Sequence, residues 1–204
     1  MAKKTTLKDQ VYENIFTDIM NGLYTPDMVL SEKFLMEKYQ FSRAPIREAL
    51  LQLTSKKFLE SIPRQGYRIT QPNKAYMTEL GHFRSILESA FLQANITRID
   101  AACLQELHQI CKHYAECPEP DFMARWKYNC EFHLKLFSTY QNEYAYDTLE
   151  NALYLQTIYF VQTKHQASMD LHLAVLDYIE KGDAVTAAKI LQADIEALVA
   201  AGKI

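Results

Sequence analysis

Glycine is scarce in this chain, at five of 204 residues, and β-branched runs thin out after the first third. A sheet-rich architecture needs both, so the expectation is a mostly helical protein. The four cysteines (Cys103, Cys111, Cys117 and Cys130) have no CxxC spacing and fall in helical patterns. They fit reduced, small core residues better than a disulfide frame or a zinc ribbon. No apolar run approaches the roughly 20 residues of a membrane span, and the charged opening MAKKTTLKDQ has no hydrophobic stretch behind it. A cytoplasmic protein without membrane contact is expected.

Charge is present but unevenly spread. The formal net charge of −3 hides a head, residues 1–73, with 11 basic and 8 acidic side chains, and a body, residues 74–204, with 11 and 17. A basic head on an acidic body suggests a nucleic-acid module joined to something else. The length allows two small domains with separate cores, and the expected division is 1–71 and 74–204.

In the head, Leu7, Val11, Ile15 and Ile19 recur every four residues, predicting an amphipathic helix closed by Asn21-Gly22. Ser31 caps a second, short helix through Tyr39, with Phe34, Leu35 and Met36 on its buried side. After the Gln40-Phe41 turn, Ser42 caps a third helix with Pro45 in its first turn, and Ile46, Ala49, Leu50 and Leu53 face inward. Two short strands, 58–62 and 67–70, flank the tip Pro63-Arg64-Gln65-Gly66. This is the order of a winged helix-turn-helix. Between Ser31 and Arg68 there are eight basic and four acidic residues, a local excess suited to a surface facing phosphates. Ser42, Arg43 and Arg47 lie at the start and outer face of the third helix, the part that enters a major groove. Arg64 and Gln65 project from the wing tip, and Gly66 permits close backbone approach. A merely solvated basic helix is the competing reading, and the wing makes it the weaker one.

The run GLYTPDMVLSEKFLMEKYQFSRAPIREALLQLTSKKFLESIPRQGYRI resembles the DNA-binding domain of the GntR family of bacterial transcriptional regulators. Its most specific part is LSEKFLMEKYQFSRAPIREAL, which pairs SR-x-P-x-REAL with the later wing. The resemblance implies DNA contact by Lys33, Ser42, Arg43, Arg47, Gln65 and Gly66. Asp27 stands where the family usually has Gly, a departure in a turn.

Six helical patterns fill the body, at about 74–97, 99–115, 119–140, 143–164, 166–181 and 183–201, implying an antiparallel bundle. Polar residues on its apolar stripes are the informative ones. Asn129 and His133 share a face with Trp126, Leu136 and Phe137. His172 falls with Met169, Leu173 and Leu176, and Asp194 with Ala187, Ile190, Leu191 and Leu198. Two imidazoles, a carboxylate and an amide oxygen suit a divalent transition metal such as zinc, nickel or manganese; each alone is more often a hydrogen-bonded core residue. Arg84 shares a stripe with Leu80, Leu87 and Phe91, and reads equally as an i,i+4 partner of Glu88 or as a clamp for the carboxylate of an effector.

The body resembles the FCD effector domain of the FadR-like branch of GntR regulators. The matches are R-x-x-L-E at Arg84 to Glu88, D-x-x-F-H in the form NCEFH, and HLAVLDYIEKGDAVTAAKILQAD for the last two helices. Many members bind a metal through an Asp and three His, which by position would be Asn129, His133, His172 and Asp194. Here Asn replaces the Asp and Asp replaces the last His. The carboxylate has crossed the site, or the set is a metal-free hydrogen-bonded cluster. Six helices rather than seven suggest the shorter, VanR-like variant.

The expectation is therefore a homodimeric, ligand-responsive repressor of double-stranded operator DNA. Its effector would be a small carboxylate or sugar acid. A metal-responsive regulator is the alternative. An enzyme using His133, His172 and Asp194 as a two-His-one-carboxylate centre is disfavoured, because no second catalytic element accompanies it.

Overall fold

A computed structural model describes residues 6–117, 122–163 and 171–200. Among these residues, α-helices, one short 3-10 helix (Ile96–Arg98) and one two-stranded sheet account for the regular structure, in two compact units. The first unit is Met1–Pro72 together with Tyr154–Thr163, and the second is Asn73–Leu153 with Lys164–Ile204. A division in chain order at residues 71–74 thus differs in one respect: a ten-residue helical segment from far down the chain belongs with the head.

The first unit opens with α1 (Leu7–Met20), whose Thr6 and Asp9 form a reciprocal capping box. Val11, Tyr12, Ile15 and Ile19 are buried, while Leu7 is exposed and lies outside the buried stripe. Helix α2 (Glu32–Tyr39) is capped by the Ser31 hydroxyl, which accepts from the Phe34 N–H at 3.1 Å. Only Leu35 of the three expected core residues is fully buried; Phe34 is exposed and Met36 half-buried. An eight-residue helix turns too few residues inward to bury three consecutive ones.

Gln40 ends α2 in the left-handed conformation, φ 58°, and α3 (Arg43–Ser55) follows, burying Ile46, Ala49, Leu50 and Leu53. The wing strands β1 (Leu59–Ile62) and β2 (Gly66–Ile69) pair antiparallel. Tyr67 also exchanges both backbone hydrogen bonds with Leu30. That proximity explains Gly66: at φ +142°, an added Cβ would sit 2.6 Å from the Leu30 carbonyl oxygen, and backbone cannot yield as a side chain can.

Two features of this unit have no local sequence signal. Asp18 of α1 accepts from the Tyr39 hydroxyl and pairs with the Lys38 ammonium, each at 2.7 Å, and Lys38 also reaches the Tyr24 hydroxyl at 3.0 Å. The Tyr24 and Tyr39 hydroxyls are themselves hydrogen-bonded. Separately, Tyr154 sets its ring edge-on to Phe16, 4.7 Å away, and to Phe58, 6.0 Å away. Gln162 donates to the Thr70 carbonyl at 3.2 Å.

The second unit comprises α4 (Lys74–Asn95), α5 (Ala101–Glu116), α6 (Phe122–Ser138), the first half of α7 (Glu143–Thr163), α8 (His172–Glu180) and α9 (Ala184–Ala200). Asn73 and Asp100 cap α4 and α5 through their side chains. Gly182, at φ +72°, closes α8, and the Asp183 carboxylate receives the Thr186 N–H, as the Lys-Gly-Asp sequence suggests. Helix α9 packs along α4 and α8, and α5 packs on α6 and α8. The fifth pattern begins at 166 in sequence, but residues 164–170, Met169 among them, lie outside the described residues, as does the side chain of Leu198. Leu173 is exposed rather than inward-facing. Cys103 and Cys111 are buried and Cys117 and Cys130 half-buried, and none of the four is in a disulfide; burial pushes the Cys111 thiol up to about 11.

Candidate functional site

Two groups of residues stand out, one exposed in the first unit and one buried in the second. The exposed group begins where α3 begins. Ser42 holds the N-cap position with extended backbone, yet its side chain makes no capping hydrogen bond, contrary to the expected cap. The hydroxyl is therefore not tied to the backbone in the way Ser31 is. Pro45 supplies no N–H, so the first turn presents few orphan donors. Arg43 and Arg47 are exposed, one turn apart on α3, and Lys33 is exposed on α2.

At the wing tip, Arg64 and Gln65 are exposed and Gly66 half-buried. Arg64 adopts φ +65°, a left-handed conformation that costs a non-glycine residue energy. Acidic neighbours temper this face: Glu32 lies 2.6 Å from Arg43 and Glu37 lies 3.9 Å from Lys33. Arg68 pairs with Glu60 across the strands. Lys33–Glu37 is an i,i+4 pair along α2, whereas Arg43–Glu32 and Arg68–Glu60 are brought together by the helix crossing and the strand register.

The buried group runs through four helices. Arg84 and Glu88 of α4, 0% and 2% exposed, form a salt bridge at 2.8 Å. Of the two readings of Arg84, this i,i+4 pair is present, and it is buried rather than at the surface. The other Glu88 oxygen lies 2.6 Å from His133 Nδ1 on α6. Burial alone would push the Glu88 carboxyl up, but Arg84 and His133 outweigh it and hold it below the usual carboxylate range. An ionised Glu88 accepts from Nδ1–H, which leaves the lone pair on His133 Nε2.

Asp194 of α9 completes the group. Its Oδ2 lies 2.9 Å from His172 Nε2 and 3.7 Å from His133 Nε2. The His172 ring stacks on Phe132, centroids 3.9 Å apart. Burial holds the His172 imidazole below its ordinary value, against the pull of Asp194. Asn129, one turn before His133, is fully buried, and neither of its amide atoms finds a hydrogen-bond partner among the described residues.

Would these residues fit a metal? One ligating atom from each of His133, His172 and Asp194 lies within 4.8 Å of the others. For bonds of about 2.1 Å, neighbouring ligand atoms stand ~3.0–3.4 Å apart, and the two distances to Asp194 bracket that range. The orphaned Asn129 amide and the unpartnered His133 Nε2 are what a buried ligand set shows, since such atoms are otherwise costly. The residues fit a divalent transition ion. A surface groove of about 500 Å³ opens elsewhere in this unit, at the α6–α7 turn, and is lined by Phe137, Gln141, Asn142 and Tyr146 with the acidic Glu143 and Asp147. It shares no residue with the buried group.

Comparison with known proteins bears on both groups. Residues 7–69 match the sequence profile described as bacterial regulatory proteins, gntR family, and residues 79–197 match that of the FCD domain. The HTH-type transcriptional repressor RspR of Escherichia coli is 25% identical over 190 residues, covering 88% of this chain and 82% of RspR. Among solved structures, E. coli McbR/YncC superposes with a TM-score of 0.76 at 21% identity, covering 95% of this chain and 97% of that one. A putative GntR regulator from Rhodococcus sp. RHA1 superposes at 0.78 and 20% identity, covering 95% of each. No helix among the described residues is long and apolar enough to cross a membrane. The chain belongs to the GntR family of bacterial regulatory proteins, with an FCD domain as its C-terminal part, and is a DNA-binding transcriptional regulator.

Proposed function

We propose that this regulator is a ligand-responsive repressor acting as a homodimer, with residues 1–71 reading DNA and 74–204 binding effector and partner copy. Two heads would place α3 in successive major grooves of a palindromic operator. Arg43 and Arg47 would reach base edges or phosphates, Lys33 and Ser42 phosphates, and Arg64, Gln65 and Gly66 the neighbouring minor groove. In the body, His133, His172 and Asp194 would hold a divalent transition ion, with Asn129 as a fourth ligand; zinc, nickel and manganese all suit the set. The ion would supply a Lewis-acid anchor for the carboxylate of a small organic or sugar acid. Glu88 fixes the tautomer of His133, and Arg84, held through Nε by Glu88, would supply positive charge for the effector's carboxylate.

The observation that carries this reading is the buried donor set itself: three ligating atoms within 4.8 Å of one another, enclosed with Asn129, Glu88 and Arg84 in a largely apolar core. A ligand that prefers one arrangement of the heads then shifts DNA affinity, and the coupling is reciprocal. The burial of His133, His172 and Asp194, at 0–3% exposed, also favours a second reading in which the ion alone is the effector.

A thermal-shift screen of organic acids, each with and without zinc, nickel and manganese, separates the two. An acid that raises the melting temperature only with metal, and weakens operator binding, is the expected result. Metal alone weakening operator binding would select the second reading. A stability indifferent to chelator and to every metal would sink both.

A further inference from the structure

Arg43 is exposed, yet it is held. Its Nε donates to Glu32 Oε2 at 2.6 Å across a separation of eleven positions. The two partners are not equivalent. The Glu32 side chain is 23% exposed and that of Arg43 75%. Glu32 is the first residue of α2, where the helix dipole favours a carboxylate, and Ser31 locks that end through its hydrogen bond to Phe34. The carboxylate is thus the fixed member of the pair and the arginine the positioned one. The other acid–base pairs on this face, Lys33–Glu37 and Arg68–Glu60, are substantially exposed on both sides, where such pairs contribute little.

A guanidinium offers its five N–H groups along a rigid planar fork. With Nε engaged by Glu32, the edge bearing both Nη groups is left for a bidentate partner, the geometry that meets guanine O6 and N7. The same carboxylate repels phosphates, so a DNA that offers Arg43 no base partner gains less from approaching this surface.

We propose that Glu32 is a specificity-determining positioning residue: its carboxylate holds Arg43 by Nε so that the Nη edge reads a base, and it penalises binding to DNA lacking that base. This rests on the assignment of Arg43 to base readout above. The engaged Nε edge and the free Nη edge follow from the geometry; the choice of guanine over another base follows from the chemistry of the fork.

The test uses the full-length protein. Wild type, Glu32→Ala, Glu32→Gln and Arg43→Ala are each used to select sites from a random duplex pool. Dissociation constants are then measured on the wild-type site and on a scrambled duplex of equal length. For Glu32→Ala the ratio of the two affinities should fall about tenfold, with scrambled DNA bound more tightly than by wild type. Its selected sites should lose preference at the same base pair that Arg43→Ala loses. Glu32→Gln, which keeps an oxygen acceptor without the charge, should retain that preference while binding scrambled DNA more tightly. An unchanged ratio and selection for Glu32→Ala, with Arg43→Ala altered, overturns the proposal alone. Equal weakening on both duplexes with a lower melting temperature also overturns it, since that is a purely structural role. If Arg43→Ala changes nothing, or wild type selects no sequence, the underlying assignment falls first.

Discussion

Glu88 illustrates how much one buried carboxylate can carry. It compensates Arg84 on one side and orients His133 on the other. Removing its charge takes away the carboxylate that faces the buried Arg84 guanidinium, and breaking a buried pair in this way typically costs about 3–5 kcal/mol. Glu88→Gln should lose stability of that order in urea denaturation; a loss below ~1 kcal/mol would show that Arg84 finds another acceptor. Asp18 and Lys38 make a milder, titratable pair. Burial pushes the Asp18 carboxyl up, but its hydrogen bonds from Lys38 and Tyr39 prevail and its pKa is lowered. Burial likewise lowers Lys38, but Asp18 and Tyr24 prevail and raise it. A depressed acid stabilises the fold above its unfolded pKa and stops doing so as pH falls through its folded one. A raised base does the reverse. The contribution should therefore be present from about pH 4 to about pH 10 and fade on either side. The melting-temperature difference between wild type and Asp18→Asn, followed by circular dichroism, should shrink at both ends; a pH-independent difference would count against the pair. Only part of this was legible at the residue level in sequence. The i,i+4 spacing announces Arg84–Glu88, but the link from Glu88 to His133 spans 45 positions and exists only because α4 and α6 pack together.

Elements were more readable, because caps and stripes are local. Ser31, Gly22, Gly182 and Asp183 end or begin helices as their chemistry suggests. Ser42 is the exception, an N-cap in position and backbone but not in bonding. The two serines thus make opposite predictions. Ser31→Ala should cost about 1 kcal/mol of stability through loss of the bond to Phe34. Ser42→Ala should cost much less, yet weaken operator binding if its hydroxyl serves a phosphate. Equal stability losses would mean that Ser42 caps α3 in solution. The misjudged core residues have an equally local cause. Phe34 and Leu173 are apolar residues beside a stripe, not on it, and periodicity in a short helix cannot separate the two.

At the scale of the molecule, the excess of positive charge in residues 1–73 and of negative charge in the remainder should govern DNA binding. Each neutralised phosphate contributes roughly 0.9 to the slope of log affinity against log salt. The two heads of the proposed homodimer should give a slope of about −5 or steeper in a titration on operator DNA; a flat response would contradict phosphate recognition altogether. The donor cluster follows the same pattern of legibility. Asn129, His133, His172 and Asp194 were visible as polar residues on apolar stripes, while their mutual distances needed the packing of α6, α8 and α9.

The segment Tyr154–Thr163 has a consequence for how this protein comes into being. Tyr154 covers Phe16 and Phe58, and Gln162 satisfies the Thr70 carbonyl. A nascent chain leaving the ribosome therefore makes α1 to β2 long before it makes the piece that finishes their core. Until then Phe16 and Phe58 pack on each other without the cover of Tyr154, and the apolar surface left open is at risk of association with other unfinished chains. A fragment ending at residue 73 would be permanently in that condition. It should melt at lower temperature than the same fragment supplied in trans with a peptide of residues 150–163, and indifference to that peptide would show the head to be self-sufficient.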